Sequence, residues 1–122
     1  KVPEGTADVV PKQVTGIVID AVGLKLKPSM SPKVFTKDHT LVYGLTKTDR
    51  KMAEEIGLVV WEKDRSVAQK SERVKASPVI IKAMGVSENT NLIISPTDAQ
   101  KIQEINEKAK LLTHCKVAIV ID

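Results

Sequence analysis

The stretch Val14-Thr15-Gly16-Ile17-Val18-Ile19-Asp20-Ala21-Val22 decides how this chain is read. β-Branched residues dominate it, and its apolar centre runs without the polar alternation of a half-exposed strand. It therefore predicts a strand covered on both faces. A second run of this kind, Lys116-Val117-Ala118-Ile119-Val120-Ile121, nearly ends the chain and predicts another interior strand. Buried strands need layers packed on them, so the segments between these two must supply helices and further strands.

Working outward from the first strand, residues 23–32 hold Pro28 and Pro32, which forbid a helix interior and predict an irregular segment. Lys33–Thr36 and Leu41–Tyr43 flank Lys37-Asp38-His39-Thr40 and read as a β-hairpin, with Asp38 and its neighbour tolerating left-handed backbone. After Gly44, Thr46 is placed to cap a helix with Asp49 in its first turn. Met52, Ala53 and Ile56 fall on one face of it, and Gly57 ends it. Leu58–Trp61 is a short strand. A polar helix is expected over Arg65–Lys75, capped by Ser66 with Gln69 and carrying a thin stripe of Val67, Ser71 and Val74; a mobile surface loop is the alternative.

Pro78–Met84 reads as a buried strand opened by proline, Gly85–Asn91 as a turn-rich loop, and Leu92–Ile94 as another strand. Ser95-Pro96-Thr97-Asp98 is a strong helix start, with serine as cap and proline where no donor is needed. That helix is expected to reach Thr113 with Ile102, Ile105, Ala109 and Leu112 inward. The sum is an α+β fold: a single domain over residues 13–122 with a mixed β-sheet of about six to seven strands and two to three helices packed on it. Residues 1–12, with Pro3, Gly5 and Pro11, read as an N-terminal arm or linker remnant.

At 122 residues and 42% hydrophobic, the chain can bury roughly two-thirds of its unfolded surface and needs no metal or disulfide to fold. No apolar run approaches the ~18 residues of a membrane-spanning helix. Lys and Arg exceed Asp and Glu by 19 to 15, a net charge of +4, yet the signs are interspersed, as in Lys51-Met52-Ala53-Glu54-Glu55. That pattern favours a solvated mixed surface over a phosphate-binding stripe. Phe35, Tyr43 and Trp61 are too few and too scattered for a stacking platform and read as core anchors.

Cys115 has no partner for a disulfide or zinc site, and beside His114 it reads as a small buried hydrophobe next to a surface imidazole. Gly5, Gly16, Gly23, Gly44, Gly57 and Gly85 stand too far apart for a phosphate-cradling loop. Asp20, Asp38, Asp49, Glu62, Asp64 and Asp98 show no spacing that forces a carboxylate pair. Asp20 and Lys82, each inside an apolar strand, must reach a rim or find a partner, and a structural ion pair or strand end accounts for both. With one Cys and no clustered His, His39 at the hairpin tip and His114 suggest no transition-metal site, Ser29 and Ser31 lie among prolines without a base, and Ser95 serves as a cap. No catalytic, cofactor-binding or metal-ligating residue is therefore assigned.

Six segments taken together carry a likeness: Thr15–Ala21, Pro28–Val34, Val42–Gly44, Pro78–Gly85, Leu92–Ser95 with Asp98-Ala99, and Val117–Asp122. In that order they resemble the C-terminal region of bacterial cell-envelope lipoproteins, including those tied to flagellar assembly and to the outer-membrane rings of the flagellar basal body. The chain departs from that pattern with Asp38-His39 where Asp-Gly is usual and with Val22 where arginine is frequent. The resemblance implies a non-enzymatic, periplasmic or outer-membrane-associated structural or interaction module, with envelope proteins or further copies of itself as partners and no cofactor. It also implies membrane contact only through a lipid anchor on an N-terminal Cys, which this chain, beginning at Lys1 as a mature product or excised piece, does not carry. The basic surplus admits a second class, a small nucleic-acid-binding domain, and an enzyme with a cryptic pocket is a third.

Overall fold

A computed structural model describes residues 14–74 and 77–122. In chain order the strands are β1 (Gly16–Asp20), β2 (Val34–Thr36), β3 (Leu41–Tyr43), β4 (Val60–Glu62), β5 (Pro78–Lys82), β6 (Gly85–Ser87), β7 (Asn91–Ile94) and β8 (Val117–Val120). The helices are α1 (Arg50–Ile56), α2 (Arg65–Gln69) and α3 (Pro96–Ala109). The fold is α+β, but the strands divide into two four-stranded sheets instead of one mixed sheet.

The first sheet is wholly parallel, in the order β4-β8-β1-β5. Its centre is the pair expected from the sequence, with Ile17 opposite Val117 and Ile19 opposite Ile119. One face carries Ile17, Ile19, Ile81, Val117 and Ile119 into the main core, where Leu92 and Ile94 from the second sheet and Ile102 and Ile105 from α3 meet them. The other face carries Val18, Ala118 and Val120 into a smaller layer closed by Ala68 of α2 and Val74. Burying each such valine or isoleucine contributes about 1.5–3 kcal/mol.

Gly16 is required by that smaller layer. A Cβ at this position would lie 2.4 Å from the Cβ of Val74, so only glycine lets the turn after α2 press onto β1. Arg73 then ties the same turn to the rest of the body. Its guanidinium donates to the carbonyls of Ile56, Gly57 (3.2 Å) and Cys115 (2.9 Å), satisfying acceptors that the end of α1 leaves open. The segment read as a thin helix or loose loop is thus a five-residue helix and a pinned turn. Asp64, not Ser66, caps it through the Ser66 amide, and Ala68 rather than Val67 faces the sheet. Lys75 lies outside the described residues.

The second sheet runs β3-β2-β7-β6, with β2 parallel to β7 and the outer pairs antiparallel. The hairpin forms as expected, and His39 is its left-handed residue at φ 69°. Gly85–Ser87, expected in a loop, is β6, because pairing with β7 outweighs its weak strand propensity. Pro78–Lys82 is an edge strand instead of a buried one, leaving Ile80 exposed.

Helix boundaries shift for local reasons. Thr46 sits in a 3-10 turn over Leu45–Lys47, and the cap of α1 is Asp49, whose carboxylate accepts from the Met52 amide at 3.0 Å. Ile56 points to solvent while Ala53 is buried. Gly57 ends α1 at φ 83°, as read. Ser95 caps α3 by accepting from Asp98 N at 3.0 Å, but the helix stops at Ala109 because Lys110 turns left-handed at φ 55°. Ala109 is exposed, and Leu112 is buried from the turn that follows. The expected arm at residues 1–12 lies outside the described residues.

Candidate functional site

The carboxyl ends of β1 and β5 bring together the two ionisable residues singled out from the sequence. The parallel register sets Asp20 opposite Lys82, with the Lys82 ammonium 3.8 Å from Asp20 Oδ1. Arg65 at the start of α2, a residue with no local sequence signal for this position, stands 3.6 Å from Oδ2. The Asp20 side chain is 12% exposed while those of Arg65 and Lys82 are 56% and 64% exposed. Asp20 also accepts from the Val22 amide at 3.0 Å, and Lys82 donates to the Val22 carbonyl at 3.4 Å. A nearly buried carboxylate is thereby satisfied by exposed cations and its own turn, an arrangement that fastens α2 and the β1 end to β5. Asp122 adds a further tie, accepting from the Gly23 amide at 2.8 Å.

A different place offers a concave surface. A groove of about 430 Å³ lies between β4, α1 and the proline-flanked loop, lined by Met30, Leu45, Ala53, Leu58, Trp61 and Glu54. Glu54 is its charged residue, and Met30 is 94% exposed at its margin. β4 forms one edge of the parallel sheet and pairs only with β8, so its outer side adjoins the groove without a strand partner among the described residues. Such an exposed methionine beside an apolar hollow is the surface chemistry of adaptable protein contacts. The sequence showed Met30 only as a residue between prolines, and nothing local marked Trp61 as belonging to a surface hollow.

A second hollow of about 410 Å³ separates the hairpin from α3, lined in part by Thr36, Asp38, Thr40, Gln100 and Gln103. Here Asp38 accepts from the hydroxyls of Thr36 and Thr40. The Thr36 hydroxyl is the main cause, and that of Thr40 the next, of its carboxyl being held below the usual range. These bonds close the hairpin turn.

The remaining candidates take structural places. Cys115 is fully buried beside exposed His114, in the turn before β8. Tyr43 is buried and donates to the Leu58 carbonyl at 2.6 Å; burial, with the neighbouring Cys115, pushes its phenol far above the usual range. Asp49 and Asp64 cap helices, and the Ser66 hydroxyl is the first cause of the lowered Asp64 carboxyl. Asp98 sits in the first turn of α3, while Glu62 closes β4. His39 is exposed at the hairpin tip, and Ser29 and Ser31 stay in the proline loop. Among the described residues no three His, Cys, Asp or Glu side chains converge to hold a metal ion.

With this geometry in place, the family assignment follows from a match that begins at the first residue of β1. The family model described as Treponema pallidum Tp0624, second domain, matches residues 16–122. The chain belongs to this family. The matched span takes in all eight strands and three helices described above, so the family unit and the folded body coincide. No curated protein matches the chain. Among the described residues no helix is long and apolar enough to cross a membrane.

Proposed function

We propose that this domain is a non-enzymatic protein-interaction module of the bacterial cell envelope, periplasmic or held at the outer membrane, which assembles with itself and with other envelope proteins. The observation that supports it best is the open edge of β4 beside an apolar groove with Met30 94% exposed. Apolar surface kept in water next to unpaired strand backbone is what strand-addition and side-chain docking both use. The hairpin offers a second sheet edge at β3. By contrast, the segment from Arg65 to Val74 is spent on packing and hydrogen bonds within the body.

The envelope compartment, and a part in flagellar assembly, rest on the resemblance of the six segments to envelope lipoproteins. Fractionating cells that express a tagged full-length protein tests this: the account expects it in the periplasmic or outer-membrane fraction, cross-linked into larger species. A cytoplasmic, uncross-linked protein contradicts it.

A further inference from the structure

Resting on the interaction-module reading, we infer that the β4 edge and its groove form the contact between two copies of this chain, paired antiparallel about Trp61. The backbone sets the centre of the contact. Glu62 turns its carbonyl to β8, where it accepts from the Ile121 amide at 2.8 Å. Backbone groups of successive residues point to opposite sides of a strand, so the N–H and C=O of Trp61 face the open side. A two-fold axis at Trp61 lets these groups bond reciprocally to the same groups of a second copy, the exchange that a hydrogen-bonded antiparallel pair makes.

That register also satisfies the side chains. A closed pair uses one patch on both partners, so the patch must complement itself. This one holds a hollow of about 430 Å³ and, at its margin, an exposed Met30 flexible enough to fill such a hollow in the second copy. Pairing Trp61 with Trp61 sets Lys63 of one copy opposite Val59 of the other. Val59 lines the groove together with Glu54, its charged residue. Lys63 is exposed and Glu54 is exposed, so each copy supplies the opposite charge to the other's groove. The pairing strand has only three residues, which calls for a weak, concentration-dependent dimer.

Sedimentation velocity across a wide concentration range, with Trp61 fluorescence in parallel, tests the inference. The chain has one tryptophan, so its emission reports this edge alone. The wild type is expected to shift from monomer to dimer with a concordant change in emission. Met30→Asp should weaken association about tenfold without altering the monomer's circular dichroism, because the side chain is already in water. Lys63→Glu and Glu54→Lys should each weaken it several-fold, and the two combined should restore it. A monomer at every concentration overturns the inference, as does a dimer indifferent to all these changes. Neither result moves the protein out of the envelope, so the compartment and the contact are judged separately.

Discussion

Asp20 and Lys82 end neighbouring parallel strands in register, their charged groups 3.8 Å apart although 62 positions separate them in the chain. The pair turns two ionisable residues inside apolar runs into one rim contact, to which Arg65 adds a second cation. Lys82→Ala alone should lower stability by no more than about 1 kcal/mol, because its ammonium is well exposed and Arg65 remains. Removing Lys82 and Arg65 together leaves the Asp20 carboxylate, among the described residues, with only the Val22 amide and should cost more than the sum of the single changes. Urea denaturation of the three variants measures this.

Gly16 and Val74 form a second pair. Gly16→Ala drives a Cβ into Val74 and should cost about 1–3 kcal/mol. Val74→Ala opens a void in the smaller layer and is costly in its own right. Because the second change makes room for the first, the double variant should lose less than the two losses added, and a double-mutant cycle in denaturant reads the coupling.

The buried phenol of Tyr43 makes stability fall at alkaline pH. Its folded pKa lies above the ordinary value of 10.0, so above that pH the unfolded chain releases a proton that the folded chain keeps. Stability from this group is complete below pH 10 and declines as pH rises beyond it. Tyr43→Phe should cost about 0.5–1.5 kcal/mol at neutral pH through the lost bond to Leu58 and should flatten the alkaline decline. Chemical denaturation of both proteins from about pH 8 to about pH 11, roughly two units below to one unit above the ordinary tyrosine value, checks the sign.

Helix starts give a smaller effect. Ser95→Ala removes the acceptor for the Asp98 amide and should cost about 1 kcal/mol, as should Asp49→Ala at the start of α1. Thr46→Ala, outside α1, should cost distinctly less. Thermal melts of the three variants separate the caps from the neighbouring threonine.

What could be read in advance follows the range of the forces involved. β1, β8 and the start of α3 carry their signals locally, in β-branched runs and in Ser95-Pro96. Thr46 and Asp49 are both capping types three residues apart, and the choice fell to the 3-10 turn that absorbs Thr46. Lys110 ends α3 with a left-handed backbone that no glycine announces. β6 exists through its pairing with β7 and has no strong propensity of its own. The division into two sheets, the hold of Arg73 on the end of α1, and the meeting of Asp20 with Lys82 and Arg65 all depend on register between distant segments. The groove at Trp61 was hidden for the same reason, since α1, β4 and the Met30 loop converge only in the fold.

The open edge of β4 is the centre of this account, and amide hydrogen exchange at Trp61 tests it most directly. Protection of the Trp61 amide should rise with protein concentration while that of Ile119 on interior β8 stays constant. Exchange at Trp61 that is the same in dilute and concentrated solution would contradict the account.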